Sequence, residues 1–333
     1  MSLWQWLLLF AAGAVVLVWA GSVLARSGDE IATRTRLGGL FVGTLLMAAA
    51  TSLPEIVTVV AAAATEAVDL AVGSIFGSSM GNMAILAVID LVHRKHVWPA
   101  VELGHARVGT LAIALTSLAV LGVVTPRGPM LGWVGIDTIL ILLAWIAAMA
   151  WMRRSRHGRF ADYPAPTEWG EAESPRGELR SAVVRFSLAS LAVLLAGPVV
   201  AIAGDGIAET SGLSATFVGV LFVAVATSLP ELVASLGALR IGAYDLAVGN
   251  LFGSNAFNMI VLVFADAAYT GGPLLTGAGA SQVAAGVGAI GLMAVALAAI
   301  VHGEETRISR LEPDALVLLI FYLGSLYAVW ATS

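Results

Sequence analysis

Ten stretches of this chain stay predominantly apolar for eighteen residues or more, near 3–25, 37–64, 68–92, 105–125, 130–151, 183–204, 213–239, 244–268, 281–302 and 314–331. Each is long enough for a helix to cross the roughly 30 Å hydrocarbon core of a bilayer. Lipid offers no water to backbone polar groups, so spanning segments of this kind are confined to helices. Charged residues make up 12% of the chain and hydrophobic ones 59%, against roughly 25% charged in a soluble domain. Such a sequence cannot clothe itself in polar groups, and it predicts an all-α membrane protein of ten transmembrane helices. The first span is expected to be a retained span and not a cleavable signal, since it has no basic n-region, runs long and opens on Trp4 and Trp6 as an interface anchor would.

Lysine and arginine set the expected orientation. With the N-terminus outside, 16 of the 17 basic side chains fall in cytoplasmic loops and only Arg127 lies outside, as the positive-inside rule requires. Both termini are then extracytoplasmic, and the expected location is a plasma (inner) membrane of prokaryotic type. The net charge of −5 leaves no basic face for a nucleic acid. The absence of cysteine excludes disulfides, thiolate metal sites and cysteine nucleophiles.

Residues 152–182 are charged and rich in Pro and Gly, a cytoplasmic linker between two five-span halves, 1–151 and 183–333. The halves are related. Residues 48–83 and 224–259 match without a gap at a constant offset of 176, with 20 of 36 positions identical. The repeats extend over about 41–86 and 217–262. An odd number of spans per half makes the second copy cross in the opposite sense, which is the inverted-topology repeat of secondary transporters. Lipid-facing positions drift among apolar residues, yet here the polar residues are the ones that match.

Glu55 and Glu231 lie mid-span, where a charge costs about 2.5–3.5 kcal/mol or more, with no basic residue at that depth. A buried carboxylate without a counter-charge holds a proton or a metal cation. Ala48, Thr51, Ser52 and Glu55 form one helical stripe, repeated by Ala224, Thr227, Ser228 and Glu231, so the hydroxyls project beside the acids. Pro54 and Pro230 remove a backbone hydrogen bond and should kink each span, freeing carbonyls just before the glutamate. In the following spans Ser78 precedes Asn82, and Ser254 precedes Asn258, by one turn. Carboxylates, hydroxyls and carbonyls together are the ligand set of sodium and calcium. Asp69 and Asp245 start these spans and read as N-caps outside the site.

ATSLPE followed by GSxxxN, once per half, resembles the two alpha-repeats of the cation/calcium exchanger superfamily, in its sodium/calcium exchanger branch. The resemblance covers both repeats and the ten-span plan. It implies an antiporter that exchanges several sodium ions for one calcium by alternating access, with no cofactor and the bilayer as surroundings. By position, calcium would be held by Glu55 and Glu231. Sodium would use Thr51, Ser52, Ser78, Thr227, Ser228, Ser254 and the main-chain oxygens of Ala48 and Ala224, with Asn82 and Asn258 completing the layer. The first and sixth spans would form the sliding gate. The chain departs from the family in having Ala50 and Ala226 where Gly is usual, and Asn at both positions where some prokaryotic relatives carry one Asp.

The alternative is a calcium/proton, or other divalent cation/proton, antiporter of the same superfamily; Thr-Ser before the glutamate, where those members carry Gly-Asn, favours sodium. An enzyme is not expected. Gly77-Ser78-Ser79-Met80-Gly81 fits a serine-hydrolase pattern, but His93, His96, His105, His157 and His302 all lie in loops or at span ends, and the second copy has Asn255 in place of Ser79.

Overall fold

The computed structural model describes residues 1–35, 41–92, 104–125, 129–154, 178–211, 228–302 and 313–333. Within them the chain is almost entirely helical. Helix α1 (Leu3–Thr35) is followed by a π-helical turn (Val42–Met47) that runs into α2 (Ala48–Thr51), then α3 (Leu53–Ala64), α4 (Val68–Val92) and α5 (Gly104–Val124). A two-stranded hairpin, β1 (Met130–Leu131) and β2 (Val134–Gly135), leads into α6 (Ile136–Arg154) and α7 (Leu179–Ser211). The second half continues with α8 (Leu229–Arg240), α9 (Tyr244–Ala268), a 3-10 turn (Leu274–Gly277), α10 (Ala280–His302) and α11 (Pro313–Thr332).

Seven of these helices, α1, α4, α5, α7, α9, α10 and α11, are long and apolar enough to cross a membrane, and the bent pair Val42–Thr51 and Leu53–Ala64 makes an eighth. Large apolar side chains such as Trp4, Leu8, Leu195, Ile320 and Leu323 stand exposed around the outside, a surface suited to lipid and not to water. The chain is therefore a multi-pass membrane protein. Two expected spans differ in their details. The one placed at 130–151 opens as the hairpin, turned at Gly132 with φ 69°, and becomes helical only at Ile136. The one placed at 213–239 lies outside the described residues up to 227.

Helix α9 is the centre of the molecule, packed on the π-helical turn and on α3, α4, α5, α6 and α8. Helices α1 and α7 pack mainly on each other, around a separate apolar cluster of Leu17, Leu24, Ala189, Val193 and Val200. Glu30 and Arg185 join these two helices by an ion pair at 2.5 Å.

Local geometry recurs at the 176-residue offset. The turn between α3 and α4 closes by Ala67 N to Ala62 O (2.9 Å) and Glu66 N to Ala63 O (3.0 Å), and that between α8 and α9 by Ala243 N to Ala238 O (2.9 Å) and Gly242 N to Leu239 O (3.0 Å). Both are Schellman closures. The left-handed position is Gly242 (φ 78°) in one and Glu66 (φ 64°) in the other.

The C-terminal end of α9 is fastened by Asp266, which is fully buried. Its carboxyl accepts Gly135 N (2.8 Å), Leu274 N (2.7 Å) and the Thr138 hydroxyl (2.5 Å), tying α9 to the hairpin, α6 and the 3-10 turn. Asp266→Ala leaves the Gly135 and Leu274 amides unpaired at about 1–3 kcal/mol each, while the Thr138 hydroxyl retains the Gly135 carbonyl at 2.9 Å. A large drop in the melting temperature of the purified protein is the expected result, and an unchanged melt would refute this fastening role.

Candidate cation site

Pro54 shapes the first half of the site. It has no N–H for the carbonyl of Ala50 and its ring crowds that carbonyl, so the helix breaks at Ser52 (φ −82°, ψ 1°) and bends by 52°. The Ala48 carbonyl keeps its helical donor. It accepts Ser52 N at 3.0 Å and the Thr51 hydroxyl at 3.2 Å, and the oxygen deprived of its helical donor by the proline is that of Ala50.

Ser52 then begins α3, and Ser228 (φ −93°, ψ 1°) begins α8. Each is followed three residues later by its glutamate, the sequence of a capping box. Neither serine hydroxyl caps its helix. The Ser52 hydroxyl instead lies 3.5 Å from Glu231 Oε1 and also against the Glu55 carboxyl, as does that of Ser78. Ser228 faces α4 near Gly81. The two acids sit in the first turns of α3 and α8, where helix dipoles favour negative charge.

The two carboxyls are close enough to repel each other, and Thr51 adds a hydroxyl beside Glu231. Glu55 is 5% exposed and Glu231 0%. Glu55 Oε2, Glu231 Oε2, Asn82 Oδ1, Asn258 Oδ1 and Ser254 Oγ are buried without a hydrogen-bond partner among the described residues. Buried polar atoms normally find partners, and orphaned acceptors on two acids and two amides fit a cation. No group of three or more His, Cys, Asp or Glu that could hold a metal occurs among the described residues, so any cage here is a mixed one of few acids and many neutral oxygens.

Of the residues expected from sequence, Glu55, Glu231, Thr51, Ser52 and Ser78 come together, and Asn82, Asn258 and Ser254 contribute the orphaned oxygens. Thr227 and Ala224 lie outside the described residues. Asp69 and Asp245 are not N-caps: both fall within the first turn of their helices, and Ala243 occupies the cap before Asp245. Asp245 instead lies 3.1 Å from Nε2 of His105, a fully buried residue at the start of α5.

Sequence reasoning left three buried residues out of the site. Asn250 takes part in a contact with Thr51 Oγ1 at 3.2 Å and donates to Ser235 Oγ at 3.0 Å and to the Glu231 carbonyl at 3.4 Å. Asn255 and Ser79 bond to the two site asparagines. None of the three is repeated, since Ser74 and Asn255 stand at the related positions. Amide side chains in the middle of an apolar helix were the available signal.

A multi-pass helical bundle with two buried acids beside a helix break is an architecture suited to a membrane transport protein. The family model for sodium/calcium exchanger proteins matches residues 5–152 and 181–331, and the chain belongs to that family. CaxA of Alkalimonas amylolytica is 28% identical over 329 residues, covering 96% of this chain and 97% of that protein. The inner membrane protein YrbG of Escherichia coli K12 is 28% identical over 269 residues, 80% of this chain and 79% of its own length. The sodium/calcium exchanger MaX1 of Methanosarcina acetivorans is 45% identical over a 56-residue stretch, 17% of this chain and 16% of that protein. In fold, the chain is similar to the sodium-calcium exchanger NCX_Mj, with a TM-score of 0.73 at 20% identity over 98% of this chain and 99% of that one.

Proposed function

We propose that this protein is a secondary antiporter exchanging sodium for calcium, with both ions using one cage centred on Glu55 and Glu231. The observation that carries the reading is the set of buried, unpartnered oxygens on Glu55, Glu231, Asn82, Asn258 and Ser254. Thr51, Ser52 and Ser78 supply the hydroxyls beside the acids. Thr227 and Ser228 complete the cage by repeat symmetry, and the family resemblance adds the carbonyls of Ala48 and Ala224, of which that of Ala48 also accepts Ser52 N and the Thr51 hydroxyl.

Two carboxylates give the pocket a charge that one calcium neutralises and that several sodium ions can also compensate. Both ions favour such oxygens. An empty pocket keeps two repelling acids at low dielectric, so the unloaded carrier is disfavoured from moving and exchange is coupled. Ten spans in two inverted halves, 1–151 and 183–333, place the cage at the repeat interface. The α1–α7 pair, which packs mostly on itself, forms the sliding gate. Basic residues put the 152–182 linker in the cytoplasm and both termini outside, in a plasma membrane.

Sodium-loaded proteoliposomes containing the purified chain test this. Calcium uptake is expected to follow the outward sodium gradient and to stop when sodium is equal on both sides. Uptake that ignores sodium and follows a pH gradient would make the protein a proton exchanger instead.

A further inference from the structure

We infer that Ser79 and Asn255 are positioning residues that fix which way the amides of Asn258 and Asn82 face, each acting on the site asparagine of the other repeat. The inference rests on the cation-site reading and names what holds two of its oxygens in place. Ser79 and Asn255 occupy the same repeat position, one residue after Ser78 and Ser254, and both are fully buried.

An asparagine amide presents an oxygen or an NH2 depending on a rotation that alters little else, so its direction must come from its partners. Both chains of bonds here begin at a main-chain carbonyl, which can only accept. Asn255 Nδ2 donates to the Ser79 carbonyl at 3.2 Å. Its Oδ1 is thereby left as an acceptor, and it receives Asn82 Nδ2 at 2.9 Å. Asn82 Oδ1 is then turned away, buried and unpaired. On the other side, Ser79 Oγ gives its one proton to the Ile75 carbonyl at 3.0 Å. It can only accept from Asn258 Nδ2, at 3.2 Å, which leaves Asn258 Oδ1 buried and unpaired.

Reversing Asn82 would set two carbonyl oxygens against each other, and reversing Asn258 would waste the Ser79 lone pair. Either reversal would also offer a cation an NH2 where it needs an oxygen. The asymmetry of the pair is what makes the scheme work: an amide with both functions is required where one bond is given and one received through separate atoms, and a hydroxyl suffices on the other side.

Calcium binding to the purified full-length chain, with thermal melting of the ion-free protein alongside, tests the inference. Ser79→Ala should weaken calcium binding about tenfold, the scale of one mispresented ligand, whereas Ser79→Thr, which keeps the hydroxyl, should bind like the parent. In an Asn258→Asp background, where a carboxylate presents oxygen either way, the Ser79→Ala effect should shrink to less than about twofold. Asn255→Leu gives the same test independently, with its effect removed by Asn82→Asp. Unchanged affinity in both single variants, or an equal loss with and without the aspartates, would overturn the inference. A parent that binds none of calcium, sodium, strontium or manganese would instead overturn the cation-site reading itself.

Discussion

Glu231→Gln is expected to reduce sodium-driven calcium transport roughly a hundredfold or more, because breaking a buried charge pairing by removing one partner costs about 3–5 kcal/mol. The substitution preserves shape, so packing is not what changes. Glu231 is fully buried, and its Oε2 has no partner among the described residues. Glutamine would halve the charge facing a divalent ion and could turn an NH2 into the cage. Sodium, with a single charge, loses less per ion, so calcium transport should suffer more than sodium binding. Glu55→Gln should behave in the same way. The double variant should match empty liposomes; flux at the parent rate in the double variant would remove the paired carboxylates from the mechanism.

Gly253→Ala is the second large effect, and it acts on the fold that presents the site. A Cβ at this position in α9 would lie 2.5 Å from the Thr44 carbonyl oxygen and 2.6 Å from Thr44 Cα. These are main-chain atoms of the π-helical turn, and they cannot rotate aside as a side chain can. On the same seam, a Cβ at Gly43 would lie 2.8 Å from the Leu246 carbonyl oxygen. The π-helical turn rests backbone to backbone on α9, and a methyl group would push it off together with the Ala48–Thr51 segment behind it. Overpacking that only backbone movement relieves costs about 3 kcal/mol, so the melting temperature and folded yield should both fall sharply. Gly77→Ala is the matched control. Gly77 is the repeat counterpart of Gly253, but a Cβ there meets no described atom within 4 Å, and the variant should melt within about 0.5 kcal/mol of the parent or slightly above it. Equal melts for the two variants would contradict this packing.

Much of the site was legible because its residues recur at a fixed offset. Repetition picked out Glu55 and Glu231 with their serines and asparagines, and proline chemistry placed a break just before each glutamate. The same filter hid Asn250, Asn255 and Ser79, whose partners in the other copy differ. The fate of individual backbone atoms was also out of reach. A proline at position 54 announces that the Ala50 carbonyl loses its helical donor, but it does not announce that the Thr51 hydroxyl turns back onto the Ala48 carbonyl. Ser52 and Ser228 have capping-box spacing to their glutamates, yet neither hydroxyl caps its helix, which leaves both free to stand beside the acids as the helical stripe implies. Asp69 and Asp245 each fall two residues past the cap position, because helix starts are decided by the Schellman turns before them and not by the acids. Asp266 gave no signal as a fastening point, since its donors come from Gly135, Thr138 and Leu274, which are remote or irregular in sequence.

Equilibrium binding of radioactive calcium to the purified protein, titrated with sodium at constant ionic strength, is the most direct test of a shared cage. One calcium per chain should bind and be displaced completely by sodium, with a sigmoidal dependence showing that more than one sodium ion takes its place. Calcium that stays bound at saturating sodium would show that the two ions do not share these oxygens.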